Sequence, residues 1–153
     1  MIVNMRAIFI GAVALMVGGC GLLVPVPGSV HLYPIQGPIA AQKPTPVISA
    51  TGWGTVFWAS VSVQFPDGET FEGKSSGQAA SNPDDELTSV WDSVYGSGHY
   101  LAHVLGSPFH GRVVLKGNRG STLIVETNRE TKESAPEGVA KDSNGNVFKV
   151  TAG

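Results

Sequence analysis

The chain has 153 residues, a formal net charge of −2 and only 14% charged residues. That length holds one domain of ordinary size, and so nearly balanced a charge supplies no field to gather nucleic acid or an anionic surface. With 20 glycines and 10 prolines, it reads as a single turn-rich domain with an apolar segment ahead of it.

Arg6 precedes an uncharged apolar run, residues 7–16, which gives way to Val17, Gly18, Gly19 and Cys20. The run is too short for a bilayer span, which needs about 20 apolar residues. It has the basic, apolar and small-residue regions of a secretory signal, and Met5 is an alternative start that leaves them intact. Val17-Gly18-Gly19-Cys20 resembles the lipobox of bacterial lipoproteins. The resemblance implies cleavage before Cys20 and attachment of diacylglycerol and a further acyl chain such as palmitate to that residue. Cys20 is the only cysteine, so no disulfide is available and the domain must stand on its core. Lipoproteins retained in the inner membrane usually carry an aspartate after the cysteine; Gly21 stands there instead, which implies the outer membrane.

Residues 21–51 contain Pro25, Pro27, Pro34, Pro38, Pro44 and Pro46, a density that opposes helix and interior strand. The division expected is a signal peptide at 1–19, a lipidated cysteine and proline-rich tether at 20–51, and a β-rich domain at 52–153. The tether is unusually apolar, with Leu22, Leu23, Val24, Val30, Leu32, Tyr33, Ile35 and Ile39, and residues 33–38 are its expected docking stretch.

Residues 56–65 alternate with the period of a half-buried strand, Phe57, Ala59, Val61, Val63 and Phe65 sharing one side. Pro66-Asp67-Gly68 supplies a turn that sets Val63 opposite Phe71 and Phe65 opposite Glu69. Asn82 and Pro83 read as the cap and first position of a helix, with Asp84, Asp85 and Glu86 in its first turn. Leu87, Trp91, Val94 and Tyr95 then continue it until Gly96. Residues 97–106 read as an irregular segment becoming a strand. Two further hairpins follow, 112–116 with 121–127 and 139–142 with 147–150, the latter turned by Asn144-Gly145. Six strands and one inserted helix indicate a mainly β fold, a small antiparallel sheet curled into a barrel or sandwich, with the helix plugging an open face through Leu87, Trp91 and Tyr95.

No cofactor pattern emerges. Gly73-Lys74-Ser75-Ser76-Gly77 matches the nucleophile-elbow spacing of serine hydrolases, but a polar loop follows where that motif needs a helix. His99, His103 and His110, with Asp92, would approach a metal site if their segment were helical; the spacing is not specific, and structural histidines are expected. The acids at 84–86 lack calcium-loop spacing. Trp53 and Trp58 are expected to be covered rather than to serve as interaction anchors.

The stretches 32–38, Asp67-Gly68-Glu69, 90–96, 117–120 and 138–146 are similar to those of a family of small proteobacterial lipoproteins of the outer-membrane type and of uncharacterised function. The similarity spans tether and domain, and it implies location rather than mechanism, because no catalytic residue is established for the family. Family members often place a cysteine in a core strand, which this chain lacks. The function expected is therefore that of a non-enzymatic envelope lipoprotein, held to the membrane by its lipid and contacting other envelope proteins or cell-wall components. The alternatives are an inhibitor or exclusion factor acting on lysozyme, phage or plasmid entry and, less favoured, a small hydrolase built on Ser75.

Overall fold

The computed structural model describes residues 28–55, 58–76, 86–131 and 133–153. The signal, the lipobox, the first part of the tether and the positions Val56, Phe57, Asn82, Pro83, Asp84 and Asp85 lie outside them, as do the side chains of Trp53, Trp58 and Ser75.

Eight strands form a closed antiparallel barrel in which each pairs with the next and the last returns to the first: β1 (Gly28–Gln36), β2 (Ile48–Thr55), β3 (Trp58–Gln64), β4 (Thr70–Ser76), β5 (Gly111–Gly117), β6 (Thr122–Asn128), β7 (Glu137–Asp142) and β8 (Val147–Ala152). The mainly β expectation holds, and the barrel is its realised form. The number of strands and the domain boundary are corrected. Residues 28–51, read as tether, supply all of β1 and the start of β2, so the barrel begins at Gly28 rather than Gly52. Proline escapes its usual penalty here because Pro34 sits beside a register shift in the β1–β8 ladder, where a missing N–H is tolerated.

The interior is apolar. Leu32, Phe71, Leu115, Leu123 and Phe148 are fully buried in one cluster, and Phe65 packs on Phe71 and Phe148 with ring centroids 4.6 and 5.5 Å apart. Ser60, Gln64, Glu72, Lys74 and Lys116 face outward and are exposed. This polarity is the inverse of a barrel that spans a membrane, which is apolar outside.

The hairpin registers follow the sequence closely. Val63 pairs with Phe71, and the Phe65 amide donates to the Glu69 carbonyl at 2.8 Å. At the 142–146 turn, Asp142 accepts from the amides of Asn144 and Asn146, and Asn146 Oδ1 accepts from the Ile39 amide at 2.9 Å. That bond ties the β1–β2 connection to the far hairpin. Gly37, at φ 96°, is needed because a Cβ there would strike the Gly145 carbonyl and the Asn146 backbone.

Between β4 and β5 the chain forms α1 (Thr88–Tyr95) and a π-helical turn (Tyr100–Val104). Two expectations change here. The described helix begins at Thr88 with Leu87 as its N-cap and no side-chain cap bond, while Asn82, the expected cap, lies outside the described residues. Residues 97–106 contain a helical turn rather than a strand, closed by the Leu105 amide on the Tyr100 carbonyl at 2.8 Å. α1 covers the outer face of the wall with the residues expected: Leu87 and Trp91 join Val90, Val139 and Val147 in a second apolar cluster, and Tyr95 packs against it. Strand alternation explains this: Leu123 and Val125 of β6 point into the barrel, while Ile124 points out to meet the helix.

Candidate functional site

Under α1, Glu126 is buried on the outer wall of β6 with 1% of its surface exposed. Its Oε2 accepts from the Trp91 indole at 2.9 Å and lies 3.3 Å from His110 Nε2, while Arg112 reaches Oε1 at 3.4 Å. Arg112 and Lys141 also approach Glu86, at 3.6 and 3.7 Å. Burying a carboxylate is tolerable only with such partners, and they hold the insertion in place.

Beside it runs a ladder of rings. Trp91 stacks on Tyr95 at 5.3 Å, Tyr95 on His99 at 4.8 Å, and His99 meets His103 at 4.7 Å. The Tyr95 hydroxyl donates to the Gly138 carbonyl at 3.1 Å and accepts from the Gly138 amide at 3.0 Å, so it is set into the edge of β7. Glycine at 138 lets β7 lie close to its neighbours, since a Cβ there would strike the Glu126 carbonyl and crowd Thr127 and Val150. Burial raises the Tyr95 pKa, against the Gly138 bond that lowers it, with the nearby Glu137 charge adding to the rise.

Asp92 commits its carboxylate to backbone amides rather than to an imidazole. Its carboxylate accepts from the amides of Gly98 and Tyr100 at 2.9 and 3.0 Å, and these bonds hold its pKa below the usual carboxyl value. It therefore joins α1 to the π turn. His99 and His103 do come together, as helical spacing requires, and His99 Nε2 lies 3.0 Å from Glu137 Oε1. His110 does not join them; it sits under the insertion beside Glu126 and edge-on to Tyr100. Among the described residues no three histidine, cysteine or acidic side chains are grouped to hold a metal ion.

The ladder opens into a groove of about 520 Å³, lined by His99, His103, Ser107, Asn128, Arg129 and Glu137 among others. Asn128 is buried, and its amide donates to the His103 carbonyl at 3.0 Å, which fixes the orientation of the side chain. Its Oδ1 has no donor among the described residues. A molecule seated in the groove meets the Glu137 carboxylate, the Arg129 guanidinium, the Ser107 hydroxyl and imidazole faces together. That combination suits a neutral partner rich in hydroxyl or amide groups better than an ion of one sign. Sequence reasoning picked out the two histidines but missed Asn128 and Glu137, because both lie at strand ends brought in by β6–β7 pairing.

A second concavity of about 520 Å³ lies on the wall of β2–β4, lined by Thr51, Ser60, Ser62, Glu72 and Lys74. The backbone of the elbow-like motif runs through this wall. Ser75 pairs with Ala59 inside the β3–β4 ladder, so its backbone is extended strand rather than the sharp strand-to-helix turn that a nucleophile elbow requires. Comparison with protein-family models, curated proteins and solved structures finds no match.

Proposed function

We propose that this chain is a lipid-anchored envelope protein of the outer membrane, which works by binding rather than catalysis and presents the His99–His103 groove to another envelope component. The observation that carries this reading is Val17-Gly18-Gly19-Cys20 at the end of a short apolar run, with the barrel beginning eight residues beyond the cysteine. Position, flanking residues and spacing all agree with lipidation at Cys20. The groove supports the binding element, because it offers hydrogen-bonding groups of both kinds on a framework held by buried contacts.

The test is metabolic labelling of the full chain with a palmitate analogue in a bacterial host, alongside Cys20→Ala. The expected result is label and detergent-phase partition for the unaltered chain, and an unlabelled, uncleaved precursor for the variant. Cleavage of the unaltered chain without incorporation of label would overturn the reading.

A further inference from the structure

The barrel has two ends of different character. One carries the short hairpin turns at 65–69, 117–121 and 142–146 together with the β1–β2 connection. The other holds the start of β1, residues 99–110 of the insertion and the 129–136 loop, since His99 meets Glu137, the His103 carbonyl accepts from Asn128, and Gly111 pairs with Thr127. Gly28 belongs to this second end, since it pairs with Gly52 near the far end of β2, and the neighbouring Ser29 carbonyl accepts from the Gly153 amide. The same end exposes Leu101, Leu105 and Phe109, at 59, 38 and 40% of their surfaces.

We infer that Leu101, Leu105 and Phe109 form a surface that dips into the bilayer holding the lipid, so that the barrel sits insertion-side down on the membrane. The inference rests on lipidation of Cys20, and chain length sets the geometry. Seven residues separate Cys20 from Gly28, so the eight steps between their Cα atoms span at most about 29 Å. β1 has nine residues and, at ordinary strand tilt, rises about 23 Å along the barrel. Turning the hairpin end to the membrane would spend nearly all of that reach in doubling back along the wall. The insertion end reaches the surface without doing so. Leu22, Leu23, Val24 and Val26 in the connecting stretch are themselves apolar, as suits chain lying at an acyl boundary.

Charge does not drive the contact. Glu130 and Glu133 are exposed on the adjoining loop, with Arg129 beside them, so attraction to anionic headgroups is weak and the contact is an apolar one. It also places the groove of His99, His103 and Asn128 close to the membrane surface, where a partner would be a molecule found at that surface.

The experiment uses the full lipidated chain in vesicles of phosphatidylethanolamine and phosphatidylglycerol. Acylated Cys20 is the only native cysteine, so Leu105→Cys, Phe109→Cys, Ile35→Cys and Val47→Cys each accept one nitroxide at an exposed position. Labels at 105 and 109 are expected to be several-fold more accessible to oxygen than to an aqueous nickel chelate. Labels at 35 and 47, exposed on β1 and just before β2, are expected to show the reverse, and 1 M salt is expected to change neither. Hydrogen exchange on the unaltered chain should show new protection at 101–109 on passing from detergent to vesicles.

Equal chelate access at all four positions, with mass spectrometry confirming the lipid on Cys20, overturns the inference and leaves the anchor intact. Dipolar broadening between labels at 105 without oxygen preference also overturns it, and assigns the patch to a second copy of the chain. An unlipidated Cys20 overturns both the inference and the proposed function.

Discussion

Glu126 is where the energetics of single residues concentrate. A carboxylate with 1% exposure survives because an indole N–H, a guanidinium and an imidazole converge on it. Truncation would leave those groups buried around nothing, which costs about 3–5 kcal/mol for a broken buried pair. Glu126→Ala should therefore lower the unfolding free energy by about that amount, and Glu126→Gln, which can still accept from Trp91, by about half. Urea denaturation followed by tryptophan fluorescence measures both; equal losses would show that the charge, not the shape, holds the site. Nothing in the sequence marked this residue. It falls on the outward face of a strand, after the apolar run Leu123-Ile124-Val125, where an acid reads as an ordinary solvent-facing residue until a helix is laid over it.

The inserted helix and its π turn behave as one element because Asp92 ties them together. Its carboxyl value lies below the ordinary 3.8, lowered by the amides of Tyr100 and Gly98. A depressed value means that the charged form is favoured by folding. The contribution is therefore fully present above about pH 3.8 and is lost as pH falls through the lower folded value. Thermal melts should show wild type above Asp92→Asn at pH 6, with the gap closing below pH 4; a constant gap would remove the carboxylate from the account. Sequence periodicity found the body of α1 because Leu87, Trp91 and Tyr95 repeat at helical spacing and all face the wall. It missed the π turn because Gly96, Gly98 and Gly106 bracket that segment, and a side-chain cap six to eight residues upstream holds it where local propensity would not.

At the scale of the whole molecule, closure is the property that the sequence hid best. β1 is rich in proline-flanked apolar residues, and alone it has neither a turn partner nor a clean alternation. Its pairing with β2 and β8 supplies what local pattern lacks, through contacts such as Leu32 with Ile48 and Val150. The three hairpins were legible because each is closed by a local turn. A chain starting at Gly52 loses β1 and half of β2, which opens the wall and exposes Leu32's side of the core. It should show no cooperative thermal transition by circular dichroism, whereas a chain starting at Gly28 should retain one; a cooperative melt from the shorter chain would restore the later boundary.

The pairing of β1 with β8 also orders events in time. A ribosome delivers β1 first and β8 after every other strand, so β1 keeps one edge bare until the last strand has been made. Throughout that interval the polypeptide is an open sheet at most, and anything that must act on a threadable chain can act before the seam shuts. The strand nearest the proposed anchor is thus the last to be sealed.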